Sequence, residues 1–306
     1  MQRRGFLKNT TLAGAALIPG MSVYSAEVQA ANAQKVFNLN YAFHDGCFDS
    51  HGGKDFVDQI KFAYDQGFRS IEDNGMMDRS IAEQTRIGNT LAKLGMQMGV
   101  FVITTNNWHW NLSLTTGKQE FKDIVVRDCK TAIEVAKRCN AKWMTVVPGN
   151  VDRSLPIDIQ TANVIEALRP GAEILERNGL VMVLEPLSDN PDLFLRHSTQ
   201  TYLICKAVNS SGCKILFDMY HMQRNEGDLI ANIDKCWEEI AYMQIGDNPN
   251  RNEPGTGEVN YKNIFKHLYN KGYKGILGME HGNSIDGKEG ELALIKAYRD
   301  ADSFLP

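Results

Sequence analysis

Eight short apolar runs, each followed by a stretch whose apolar residues recur at helical spacing, fill residues 35–305. The runs are Lys35–Phe43, Arg69–Asp73, Gln97–Ile103, Trp143–Val147, Leu180–Leu184, Lys214–Asp218, Ile240–Ile245 and Gly275–Glu280. Runs this short, bounded by Gly, Pro and polar residues, read as buried parallel strands, although periodicity alone leaves buried helix open. The intervening stretches are Lys54–Gln66, Ile81–Leu94, Glu120–Arg138, Ile159–Arg177, Thr199–Val208, Asp228–Glu239, Tyr261–Lys271 and Gly290–Ser303. Pro170 should kink the fourth of them or begin a new turn. Eight alternations over about 270 residues are what a single-domain (β/α)8 TIM barrel requires, whereas an open doubly wound sheet stops at roughly five to seven strands.

In such a barrel all strand C-termini meet on one face, and the loops there carry the chemistry. Four consecutive strands deliver an oxygen to that face: Glu185, Asp218, Gln244 and Glu280. Converging carboxylates repel one another unless protons or a divalent cation neutralise them, so a metal is expected. A lone acidic residue at a strand end is more often a helix cap or salt-bridge partner, but four on consecutive strands favour a site. His221, three residues beyond Asp218, is a candidate to hydrogen-bond a substrate oxygen. Arg251, in the long loop Gly246–Asn260, is a candidate to hold a carboxylate or hydroxyl and stabilise developing negative charge. His44, Glu72, Trp108, His109 and His281 also lie near strand ends and are candidates to line the pocket, with Trp108 or Trp110 alternatively forming a hydrophobic lid. Glu258 is placed either to orient Arg251, to accept a substrate hydroxyl or to stabilise its own turn.

Residues 1–33 differ in composition from the rest. Arg3-Arg4-Gly5-Phe6-Leu7-Lys8 precedes a mildly apolar stretch, Leu12–Ile18, and then small residues, which is the order of an export signal of the twin-arginine type. Its removal takes away Arg3, Arg4, Lys8 and Glu27, a net +2, and moves the formal charge from −4 to −6. The expected product is periplasmic, with residues 34–306 forming the barrel, and no stretch is long enough to span a membrane. The six cysteines show no Cys-x-x-Cys spacing, and Cys129, Cys139, Cys205, Cys213 and Cys236 fall in helix or strand patterns, which favours buried free thiols over disulfides. A negative chain without basic runs argues against a polymeric nucleic-acid partner and favours a small molecule. Exposed loops and the last helix are candidate surfaces for a homo-oligomer.

The set Leu184-Glu185-Pro186, Phe217-Asp218-Met219-Tyr220-His221-Met222-Gln223, Gln244-Ile245-Gly246-Asp247, Arg251-Asn252-Glu253-Pro254-Gly255-Thr256-Gly257-Glu258 and Met279-Glu280 resembles the hydroxypyruvate isomerase group of the xylose-isomerase-like barrels. The resemblance implies a divalent metal, Mg²⁺ or Mn²⁺, held by Glu185, Asp218, Gln244 and Glu280. It also implies proton transfer through a cis-enediolate, with Glu185 and Glu280 as acid and base. Gln244 matches hydroxypyruvate isomerases, where ketose 3-epimerases generally carry histidine. The export signal points to a substrate other than hydroxypyruvate, and a ketose 3-epimerase or an enzyme of oxidised sugars is the alternative within the class. A non-catalytic periplasmic sugar-binding protein is the alternative outside it, disfavoured by the paired glutamates. Phosphodiester hydrolysis, as in the abasic-site endonucleases that share this barrel, calls for several clustered histidines and a basic face that the chain lacks.

Overall fold

A computed structural model of the chain describes residues 36–103 and 113–305. The proposed signal and Trp108, His109 and Trp110 fall outside them. The described residues carry nine parallel strands: β1 Asn40–Phe43, β2 Ser70–Ile71, β3 Gln97–Met98, β4 Val100–Val102, β5 Trp143–Val146, β6 Val181–Leu184, β7 Cys213–Asp218, β8 Ile240–Gln244 and β9 Ile276–Gly278. Their order is β3-β2-β1-β9-β8-β7-β6-β5-β4.

The expectation of eight strands is met by eight staves, because β3 and β4 are two pieces of one strand divided at Gly99. β3 pairs with β2 and β4 pairs with β5, so this one strand supplies both edges. Backbone bonds from Gly99 N–H to Ile71 O at 2.6 Å and from Asp73 N–H to Val100 O at 3.1 Å close the seam. Glycine is needed at the break: a Cβ there would stand 2.3 Å from the Tyr242 hydroxyl and 2.9 Å from Ile71 O.

Alternation along the strands sorts the side chains into two layers. Ala42, Val100, Val181, Val183, Leu216, Tyr242 and Ile276 pack together, one or two from each of six strands, and fill the barrel interior. Their neighbours Tyr41, Phe43, Met182, Leu184, Ile215, Phe217 and Met243 point outward into the larger core under the helices.

Those helices begin and end where the sequence provides caps. Ile81–Leu94 starts after Ser80, whose hydroxyl accepts the Glu83 N–H at 3.2 Å, and ends at Gly95 in the left-handed region, φ 66°. Asp55 and Asn260 cap Phe56–Asp65 and Tyr261–Asn270 in the same way. The helix Ile157–Glu176 runs through Pro170. Pro170 and Glu166 both lie on the exposed face, so the carbonyl that the proline leaves unpaired is open to water. All six cysteines are buried and free. No helix among the described residues is long and apolar enough to cross a membrane.

Candidate active site

The inward face of each strand, followed two residues past the apolar plug, leads to the polar groups of the barrel mouth. Val183 is followed by Glu185, Leu216 by Asp218, Tyr242 by Gln244, Ala42 by His44 and Ser70 by Glu72, while Glu280 lies two beyond Gly278. One oxygen each of Glu185, Asp218 and Glu280 and one ring nitrogen of His221 lie within 4.8 Å of one another, a group that could hold a metal ion.

Asp218, His221 and Glu280 are fixed from behind. Asp218 is fully buried; its Oδ1 accepts the Tyr220 N–H at 2.7 Å and so starts the short helix Met219–Asn225, which carries His221 back over the cluster. The backbone N–H of Ser188 donates to His221 Nδ1 at 3.2 Å, so Nδ1 is an acceptor and the neutral ring carries its proton on Nε2. That nitrogen faces Asp218 Oδ2 at 3.4 Å, Glu185 Oε1 at 3.8 Å and Asp189 Oδ2 at 3.9 Å. Glu280 accepts Asn74 Nδ2 at Oε1 and Arg251 Nη2 at Oε2, both at 2.7 Å. The same Arg251 nitrogen donates to Asp218 Oδ2 at 2.9 Å. Arg251 is in the left-handed region, φ 56°, and its guanidinium stacks over the Tyr220 ring at 4.7 Å. An arginine held in that backbone region is a local cost the loop bears to direct the side chain inward.

The electrostatics follow from burial. Burial, then the charges of Glu280 and Asp218, push Glu185 well above the ordinary carboxylate range. Burial raises Glu280 to about 7 against the pull of Arg251, and raises Glu72, with the Glu280 charge, to about 8. Burial lowers His221 and keeps it neutral. Arg251 loses hydration, but Asp218, Glu280 and Glu185 more than offset that and hold it cationic. The mouth is therefore a place where ionised carboxylates are costly and a further positive charge is stabilising.

Gln244 bears on which charge that is. Its Nε2 is turned to Glu72, and its Oε1 is buried without a hydrogen-bond partner. A buried amide oxygen without a partner, on the strand between those that lead to Asp218 and Glu280, is together with three carboxyl groups the kind of donor a hard divalent cation prefers, so the residues present fit such an ion.

Residues 60–300 match the family described as the xylose isomerase-like TIM barrel. The chain belongs to this family. Hydroxypyruvate isomerase of Escherichia coli (strain K12) is 30% identical over 257 residues, covering 81% of this chain and 95% of that protein. The 2-oxo-tetronate isomerase of Cupriavidus necator is 27% identical over 249 residues, covering 79% and 93%. Among solved structures, an AP endonuclease of family 2 from Brucella melitensis superposes with a TM-score of 0.72 at 24% identity, over 85% of this chain and 99% of that one. An L-ribulose 3-epimerase gives 0.69 at 19% identity, over 86% and 92%. Likeness at those identities concerns the fold; the curated relatives make this xylose-isomerase-like barrel an isomerase.

Within the barrel the other candidates have separate surroundings. His44 presents its ring nitrogens to two carbonyls, Asp45 O at 2.8 Å and His281 O at 3.0 Å. The Cys47 side chain first, and those carbonyls after it, push its pKa well above the imidazole range against burial. His281 is turned into the core, bonded to Tyr298 Oη at 2.8 Å and Gly282 O at 2.8 Å, and burial lowers it to about 3. Glu258 is exposed and accepts Gln223 Nε2 at 3.3 Å rather than touching Arg251. Glu72 is 1% exposed and reaches into the barrel interior, and with His44, Asn74 and Glu280 it lines one pocket. Asn74, Ser188, Asp189 and Tyr220 were not singled out by sequence reasoning. Asn74 alone carried a signal, as a polar residue two beyond Glu72 at the end of β2.

Proposed function

We propose that this isomerase interconverts the carbonyl and hydroxyl carbons of a small sugar acid or hydroxy-keto acid, with a divalent cation, Mg²⁺ or Mn²⁺, on Glu185, Asp218, Gln244 and Glu280. The observation that carries the reading is the cluster of three carboxyl groups, with an unpartnered Gln244 Oε1 on the strand beside that of Asp218. The relatives named for hydroxypyruvate and 2-oxo-tetronate isomerisation supply the substrate class.

A bound cation would polarise the substrate carbonyl and acidify the neighbouring C–H. The rest falls to the chain. One of Glu185 and Glu280 removes the proton from that carbon and the other delivers a proton to the adjacent one, through a cis-enediolate. A positioned pair of carboxyl groups serves both halves of that exchange. His221 offers its Nε2–H to a substrate oxygen, and Arg251 stabilises negative charge as it develops. Residues 1–33 are proposed to export the protein to the periplasm, on the strength of Arg3-Arg4 and the apolar stretch that follows; cell fractionation and N-terminal sequencing test this.

The functional test is metal content followed by deuterium incorporation from heavy water into hydroxy-keto acids and ketohexoses, with and without a chelator. Chelator-sensitive incorporation beside the carbonyl of an acid is expected. Incorporation into ketohexoses alone would move the reading to a 3-epimerase, and bound metal with no exchange would move it to a binding protein.

A further inference from the structure

Gln244 brings an amide to the cluster, and an amide has two arms of nearly equal shape and opposite electrical sense. One way round it presents an oxygen to a cation; the other way it presents two N–H groups. Something must set the orientation. In the sheet register Gln244 stands between Asp218 on β7 and Gly278 on β9. Its Nε2 lies 3.5 Å and 3.4 Å from the two carboxyl oxygens of Glu72, and its Oε1 is left without a partner.

Glu72 is itself held. Tyr242, two residues before Gln244 on the same inward face, donates its hydroxyl to Glu72 Oε2 at 3.0 Å. The Glu72 backbone N–H donates to Phe43 O at 2.9 Å. Space for this chain of groups is made by glycine. A Cβ on Gly278 would lie 1.9 Å from Glu72 Oε2 and 2.9 Å from Gln244 Cγ, while one on Gly99 would meet the Tyr242 hydroxyl. Two polar side chains and two glycines thus occupy the barrel interior beside the apolar plug, and they end on one glutamine.

We infer that Glu72 is a positioning residue for the cation site: by taking the Gln244 amide N–H₂ it leaves the amide oxygen as the group presented beside Asp218. The inference rests on the cation reading above. The plainer account is that Glu72 and Tyr242 only satisfy one another inside the barrel. The two accounts differ in what happens to metal binding when residue 72 changes.

The experiment is a Mn²⁺ titration of the metal-stripped full chain by calorimetry, with thermal unfolding of each metal-free variant alongside. Glu72→Ala is expected to weaken Mn²⁺ binding about 10–100-fold, the usual loss when a group behind a metal ligand is removed. Glu72→Gln keeps an acceptor for the amide and should restore most of the affinity. In a Gln244→Glu background, whose carboxylate has no wrong face, Glu72→Ala should cause no such loss. If Glu72→Ala fails to fold, Glu72→Met preserves volume and carries the same comparison. Wild-type protein that binds Mn²⁺ with a Glu72→Ala variant that binds it equally, or a loss that persists in the Gln244→Glu background, would overturn the inference alone. Wild-type protein that takes up no Mn²⁺ would overturn the cation reading and this inference with it.

Discussion

Arg251 Nη2 lies 2.9 Å from Asp218 Oδ2, and the same nitrogen reaches Glu280 at 2.7 Å. One guanidinium therefore bridges two of the four proposed cation donors. In the metal-free protein it is the positive charge that lets these carboxylates coexist. Removing one partner of a buried ionic cluster leaves uncompensated charge, so Arg251→Ala should cost on the order of 3 kcal/mol in metal-free urea denaturation. Saturating Mn²⁺ should recover part of that loss, since a ligand bound only to the folded state stabilises it. Equal stability of the variant and wild type without metal would show that the bridge carries no net stabilisation.

Glu185 and Glu280 are proposed to exchange roles as base and acid, so neither can be spared. Glu185→Gln and Glu280→Gln should each reduce deuterium exchange by about 10²-fold or more, the usual contribution of a positioned acid or base. The melting temperature in chelator should be retained or raised, because a buried ionisable group becomes neutral. Near-normal exchange in both variants would rule out proton transfer between these two residues.

The raised carboxyl values have a direct consequence for stability. Glu280 stands at about 7 and Glu72 at about 8 in the fold, against an ordinary 4.5. Burial raises them, so the folded protein binds these protons more tightly than the unfolded chain does. Stability of the metal-free protein should then fall as pH rises from about 4.5 to about 8, by several kcal/mol, the Glu280 share being moderated because part of its side chain is open to water. With Mn²⁺ present the trend should weaken or reverse, because the cation requires the ionised forms. Urea midpoints across pH, with chelator and with metal, measure both slopes.

Gly278→Ala tests how tightly the barrel interior is packed around Glu72. The new methyl would displace the carboxyl end of Glu72 and press on Gln244 Cγ. A destabilisation of about 1–3 kcal/mol is expected, as for other overpacked interiors. A shorter side chain at residue 72 should relieve much of it, measured as non-additivity in a double-mutant cycle.

Much of this architecture was legible in the sequence because it rests on local patterns. The helix Ile81–Leu94 was read to its bounds from its apolar spacing and the glycine that ends it, and all eight staves were found. What was not legible depends on neighbours distant in the chain. The division of the third stave at Gly99 answers the Tyr242 hydroxyl, more than a hundred residues away. The helix Met219–Asn225 spans only 7 residues and is started by Asp218 itself, so it left no periodic signal. The convergence of Glu185, Asp218 and Glu280 followed from their equal position past each strand. The bridging by Arg251 did not, because it requires a left-handed turn in a loop of many polar residues. Nor did the burial of Glu72, since a strand-end glutamate carries no mark of whether it turns to the rim or to the interior.

The four proposed donors belong to β6, β7, β8 and β9, neighbours in the chain and around the sheet, whereas His44, Glu72 and Asn74 come from the earlier part of the barrel. Such a division gives the barrel separate evolutionary freedoms. The loops of β1 to β5 can drift toward new substrates while the later strands retain the chemistry. Contacts across the division limit that freedom: Asn74 donates to Glu280, and Glu72 and Gly278, on opposite sides, are fitted to one another and would have to be inherited together.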